Sequence, residues 1–284
     1  MHTIVMATQK GGSGKSTLSI GLAVAAQQAG HRVRLIETDK QGTLSNWQVR
    51  RGLVEPIVEP IYNALDIERR LQALARGGVA LTIIDTASGI NAATTAAIRH
   101  CDLCLIPSRP SVPDIEATAA TLSVARAWRK PFAFILNQTP IRAGHRTSGA
   151  TAALDESAPR DIDEVLAQPF IVMRNDHQDA LAAGLSVSEF APSGKSAEEI
   201  RGLWQWVENH LTGGIVAAVE QEAAASAYPD VEFPILLSRA TRQTSTDAPA
   251  SYPLSTWADA KLDLDLDSNP NAGSASSLPW DSGL

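Results

Sequence analysis

Residues 8–17, TQKGGSGKST, place three glycines and two lysines within ten positions. That composition suits phosphate. Gly11, Gly12 and Gly14 leave the backbone bare, so phosphate oxygens can approach successive N–H groups, and a helix opening directly afterwards adds the positive end of its dipole. Lys15 is then placed to reach β- and γ-phosphates, and Ser16 to put its hydroxyl on Mg2+. Ser13 completes the cradle, and Thr17 is expected on the α-phosphate side. The common spacing, G-x-x-x-x-G-K-[ST], asks for glycine at position 9. This chain has Gln9 there and adds a second cation, Lys10. Ordinary phosphate-loop chemistry has no use for a cation at that position.

The elements that must hold this loop can be read from the apolar pattern. Short β-branched runs at 3–7, 33–37, 81–85, 103–107, 132–137 and 170–173 are predicted strands. Between them lie Ala- and Leu-rich stretches such as 16–29, with Gly30 as a helix stop, and 115–128. Near-continuous apolar strands separated by helices predict a doubly wound α/β domain around a mostly parallel sheet covered on both faces. Ligands in such folds sit beyond the carboxyl ends of the strands, which is where the loop falls. The segment 196–211, SAEEIRGLWQWVENHL, reads as the last packed helix. Ser196 and Glu199 are expected to form its capping box, and Ile200, Leu203, Trp204 and Val207 its buried face.

Composition divides the chain at residue 212. Residues 1–212 carry 21 basic and 21 acidic side chains, while residues 213–284 carry 3 and 10. The first part is predicted to be the nucleotide-binding domain. The second, rich in Ser, Pro, Asp and Gly, is predicted to be an acidic and largely disordered tail. A globally basic nucleic-acid binder is excluded, though not a local basic patch. No segment is apolar for the length of a membrane span, and no signal peptide is read at the start, so a cytoplasmic protein is expected. Cys101 and Cys104 form a C-x-x-C, but their setting, HCDLCLIP, looks like a buried strand. They are expected to be core residues on diverging faces.

Five motifs in order carry a family resemblance over residues 1–211. QKGGSGKST resembles the deviant Walker A loop, K-G-G-x-G-K-[ST]-T, of the ParA/MinD ATPases, SIMIBI-type P-loop NTPases. In that family the first lysine crosses a nucleotide-sandwiched dimer and touches the partner's ATP. The resemblance therefore implies that Lys15 serves its own nucleotide and Lys10 its neighbour's, as an arginine finger would. RVRLIETDKQGTLSNW is similar to the D-x-D-P-Q-G switch segment. It implies that Asp39 orients the attacking water and stands by the metal. Glu37 replaces the family's usual Asp, which lengthens a side chain near the Mg2+ shell, and Lys40 replaces its Pro. LTIIDTASG is similar to the Walker B strand, implying that Asp85 holds Mg2+ together with Ser16. CDLCLIPSRPSVPDIEA matches the next strand and its proline-rich loop. FAFILNQTP ends in Asn137, which the family uses to read the adenine edge.

The resemblance is greatest to small ParA-type partition proteins without an N-terminal helix-turn-helix. It implies an ATP-dependent homodimer that uses Mg2+, binds nucleoid DNA without sequence preference, and is stimulated by a ParB-like or cargo adaptor. Phosphate contacts would come from Lys and Arg, with Arg142, Arg146, Arg174, Lys195 and Arg201 as candidates. The acidic tail lacks a basic amphipathic face, so no membrane partner is expected. An ATP-gated scaffold without DNA binding is the alternative.

Overall fold

The computed structural model describes residues 1–141 and 165–214. Six parallel strands form one sheet: β1 (His2–Met6), β2 (Val33–Glu37), β3 (Ile57–Pro60), β4 (Leu81–Asp85), β5 (Leu103–Ser108) and β6 (Phe132–Leu136). Their order is β3-β2-β4-β1-β5-β6. The chain moves from β1 outward to β3, returns with β4 between β2 and β1, then continues on the other side. Direction thus reverses around β1, and the loops at the carboxyl ends of β1 and β4 meet.

Alternation along each strand splits the core in two. Ile4 and Met6 of β1, Leu35 of β2, Ile83 of β4 and Leu105 of β5 face one layer. Val5, Ile36, Ile84 and Ile106 face the other. The first layer is covered by α1 (Lys15–Gln28), α2 (Thr43–Arg51) and, late in the chain, α9 (Lys195–Asn209). The second is covered by α3 (Ala64–Arg76), α4 (Ala92–Arg99) and α6 (Thr118–Ala127), which follows the short α5 (Val112–Glu116). Two further short helices, α7 (Asp176–Ala182) and α8 (Val187–Phe190), precede α9. Burial on both faces explains why the strands read as apolar runs rather than alternating ones.

Four expectations about strands, helices and caps are corrected. The strand β3 escaped the pattern because it is a short edge strand, Ile57–Pro60, in which only Val58 is buried; an edge tolerates proline and half-exposed charge. Residues 170–173 do not form a strand. They contribute only an isolated bridge, Thr139 to Val172, held by Ile171 N–H to the Leu136 carbonyl and Met173 N–H to the Thr139 carbonyl, while the Val172 N–H donates to the Glu199 carboxylate at 3.0 Å. The helix expected over 115–128 is interrupted between α5 and α6. The capping box predicted at Ser196 and Glu199 lies instead at Ser186 and Glu189, on α8. Helix α9 begins at Lys195 with Gly194 as its N-cap. Ser196 is drawn to Asp176 at 2.9 Å, and Glu199 to Arg174 at 2.7 Å. Ile200, Leu203, Trp204 and Val207 are buried as expected.

Cys101 and Cys104 are buried free thiols. Both lie in the same core layer, because Cys101 precedes β5 and does not follow its alternation. Burial pushes the Cys101 thiol up to about 12 and Cys104 well above its ordinary value, which disfavours thiolate chemistry. Among the described residues no helix is long and apolar enough to cross a membrane. The expected tail lies outside the described residues except for Gly213 and Gly214, as do Arg142 and Arg146.

Candidate nucleotide site

Strand β1 stops at Met6 and helix α1 starts at Lys15, so residues 7–14 form the loop between them. Gly12 and Gly14 have φ of 75° and 91°, a left-handed backbone open to glycine at little cost. Position 14 is closed to other side chains for a second reason. A Cβ there would lie 2.1 Å from Asn137 Nδ2.

Two amides after β6 hold the loop from behind. Asn137 Nδ2 donates to the Ser13 carbonyl at 2.8 Å, and Gln138 Nε2 donates to the Gly12 carbonyl at 2.9 Å. The C=O and N–H of one trans peptide unit point in opposite directions. With these two carbonyls drawn towards β6, the N–H groups of Ser13 and Gly14 face the other way. Asn137 also accepts from the Gln138 N–H at 2.9 Å. Its amide retains one further N–H and one lone pair, the capacity that reading a base edge requires. Gln138, at φ 55°, was not anticipated from sequence.

The charged groups converge beside this loop. Lys15 is buried at the first turn of α1, with Nζ 3.2 Å from Ser88 Oγ on the loop after β4. Desolvation lowers its pKa, and the nearby carboxylates of Asp85 and Asp39 oppose that shift. Asp85 ends β4 and is fully buried. Burial raises its pKa to about 7, against the Ser16 hydrogen bond and the Lys15 charge, with Glu37 and Asp39 adding to the rise. Ser16 Oγ donates to Asp85 Oδ2 at 2.6 Å. Asp39 sits on the 38–42 loop after β2, where its carboxylate accepts from the Gln41 N–H at 3.0 Å. The structure thus brings Lys15, Ser16 and Asp85 into one cluster. Asp39 faces it through space, with no direct contact to Ser16 or Asp85 among the hydrogen bonds of the described residues.

The donor set fits a nucleotide with its metal. A hydroxyl and a carboxylate, Ser16 and Asp85, are already paired where hard oxygen ligands are needed. Ser13 Oγ is buried without a hydrogen-bond partner, and a buried hydroxyl without a partner is costly unless a ligand supplies one. Thr17 is half-buried on the same turn.

Lys10 does not join that cluster. Its Nζ lies 3.0 Å from Asp114 Oδ2, with the lysine side chain 35% exposed and the aspartate 4%. Asp114 also accepts from Arg109 Nε at 2.9 Å and from Ser111 Oγ. Burial works against the charge on Asp114, but the hydrogen bonds from Ser111, Arg109 and Lys10 outweigh it and lower its pKa. The sequence reading did not single out Asp114. The available signal was Ser111-Val112-Pro113-Asp114, a helix-start spacing in which serine and a carboxylate stand three apart.

A family model described as the CobQ/CobB/MinD/ParA nucleotide binding domain matches residues 4–187. The chain belongs to the ParA/MinD family. It is 30% identical over 205 residues to the maintenance of carboxysome distribution protein A of Halothiobacillus neapolitanus, covering 69% of this chain and 91% of that protein. Solved ParA/MinD structures share the fold. Apo McdA of Cyanothece superposes with a TM-score of 0.62 at 19% identity, covering 73% of this chain and 99% of that one. The MinD of Pyrococcus horikoshii, complexed with Mg-ADP, gives 0.56 at 16% identity, covering 74% and 97%. Membership accounts for the site's layout. The residues expected from sequence to bind nucleotide and metal stand at or just after the carboxyl ends of β1, β2, β4 and β6.

Proposed function

We propose that this chain is an ATPase whose ATP-bound form dimerises face to face to position DNA or another large cargo, with hydrolysis stimulated by a partner. The observation that carries this reading is the division of labour between two lysines five residues apart. Lys15 is buried with the carboxylates of its own site. Lys10 is directed away from them onto the buried Asp114, its own side chain 35% exposed, so that a flexible side chain can be released. Gly11, Gly12, Ser13, Gly14, Lys15, Ser16 and Thr17 would hold the phosphates, and Asn137 the base side. Ser16 and Asp85, with Asp39 nearby, would hold Mg2+, which neutralises phosphate charge when bound. Asp39 is half-buried at the mouth of the site, suited to orienting water. A lysine reaching into a partner's pocket would couple turnover to association. The similarity to a carboxysome distribution protein supports positioning as the task.

DNA binding would need exposed Lys and Arg side chains on one face. Arg174 is engaged by Glu199 at 2.7 Å, which leaves exposed Lys195 and Arg201 among the described candidates. Six residues apart on α9, they point roughly 120° away from each other. That separation favours the second reading, an ATP-gated scaffold that organises a protein assembly. Co-sedimentation with DNA under ATP, under ADP and at high salt decides between them. Retention under ATP alone, lost at high salt and in Lys10→Ala, supports the DNA-binding form. An ATP-dependent dimer that leaves DNA in solution supports the scaffold. A chain that stays monomeric with ATP overturns both.

A further inference from the structure

We infer that Glu37, a buried carboxylate outside the phosphate-binding set, is the positioning residue for the loop that carries Asp39. This deepens the ATPase reading and rests on it. The sequence reading put Glu37 near the Mg2+ shell. In the structure its carboxylate turns to helix α2. Oε1 accepts from the Leu44 N–H at 2.7 Å. Oε2 accepts from the Ser45 N–H at 3.2 Å and from Ser45 Oγ at 2.5 Å.

The need for this contact comes from α2 itself. The first N–H groups of a helix have no partner within it. The N-cap of α2 is Gly42, at φ 69°, which has no side chain to supply one. Leu44 is fully buried, so water does not serve its N–H, and an unpaired buried donor is costly. A carboxylate at this end satisfies two amides and a hydroxyl and meets the positive end of the helix dipole. The cap therefore comes from the end of a strand rather than from the residue before the helix.

The consequence falls on residues 38–42. They leave β2 directly after Glu37 and enter the helix that Glu37 caps, so one carboxylate fixes both ends. Inside this span Thr38 N–H donates to the Asp85 carbonyl at 2.9 Å, and Gly42 N–H to the Asp39 carbonyl at 3.2 Å. Glu37 and Asp85 are register partners on neighbouring strands, which ties the span to the metal-side carboxylate. The placement of Asp39 relative to Lys15 and Asp85 is thereby set by a group that need not touch nucleotide. Three of the roughly four acceptor sites of the Glu37 carboxylate already hold protein donors. An aspartate would fall short by one carbon–carbon bond, about 1.5 Å, so the longer side chain has a role here.

The test uses the full chain and the variants Glu37→Gln, Glu37→Asp and Ser45→Ala. Steady-state turnover is measured against ATP and against Mg2+, and amide hydrogen exchange is followed at Leu44 and Ser45 without nucleotide. Glu37→Gln is expected to lower kcat by about 10- to 100-fold, the scale of a misplaced catalytic group. Its ATP KM and Mg2+ half-saturation should move less than about twofold. Exchange at the two amides should accelerate, with smaller changes of the same kind in Glu37→Asp and Ser45→Ala. Recovery of kcat at high Mg2+ would make Glu37 a metal ligand and overturn the inference, as would unchanged turnover or unchanged exchange. If the unaltered chain turns over no ATP, the ATPase reading itself falls. The exchange measurement still decides whether Glu37 holds the loop.

Discussion

Lys10 Nζ lies 3.0 Å from Asp114 Oδ2 of its own subunit, and Asp114 is almost wholly buried under that contact. Lys10 is thus held in cis by a carboxylate that Arg109 and Ser111 also engage. A trans role requires this contact to open. Lys10→Ala should leave nucleotide affinity of the monomer within about threefold, abolish the ATP-dependent dimer, and reduce stimulated turnover by about 10³-fold if the lysine acts like an arginine finger. Sedimentation velocity with ATP under non-hydrolysing conditions, beside a turnover assay, measures both. A stable Lys10→Ala dimer would refute the assignment.

Lys15→Ala tests the other lysine. It removes a buried cation whose charge the site is built around, and nucleotide affinity should weaken by about 100-fold. Equilibrium titration with a fluorescent ATP analogue reads this directly. Gly14→Ala should act in the same direction, because its Cβ would meet Asn137 Nδ2 at 2.1 Å in a backbone already at positive φ.

Asp39→Ala should bind ATP and dimerise normally but hydrolyse it about 10²- to 10⁴-fold more slowly, the usual range for loss of a group that directs proton transfer from water. Single-turnover hydrolysis in the preformed dimer isolates that step. Normal turnover would remove Asp39 from its role.

Helix α2 is tied at its far end too. Arg51 donates to both oxygens of Glu189 at 2.7 and 2.6 Å and lies over Trp47. Burial pushes the Glu189 pKa up, but hydrogen bonds from Arg51 and the Ser186 N–H more than reverse this, so it sits below its ordinary 4.5. A lowered carboxylate pKa contributes stability that is complete above the unfolded value and disappears as pH falls through the folded one. Urea midpoints should therefore drop as pH falls below 4.5, and Glu189→Gln should flatten that part of the profile. At neutral pH the variant should lose about 2 kcal/mol, since Arg51 keeps carbonyl partners but loses its counter-charge.

The glycine-rich loop between β1 and α1 and the parallel α/β class were legible in the sequence, because each rests on local spacing. A glycine-rich turn, a lysine and a hydroxyl ten residues apart at most can only act together if a strand leads in and a helix leads out. Apolar periodicity likewise marks which runs are buried. What the chain's order alone did not settle were partners brought together from far apart: Lys10 with Asp114, Glu37 with Leu44 and Ser45, Asn137 with Ser13, Glu199 with Arg174. Ser196 and Glu199 had the spacing of a cap, yet distant groups claimed both, and an edge strand carrying proline showed no pattern to read. Local propensity is a weak, additive preference. The pairing of a buried charge is decided by whichever donor the folded chain delivers within hydrogen-bond distance, and that delivery exists only in three dimensions.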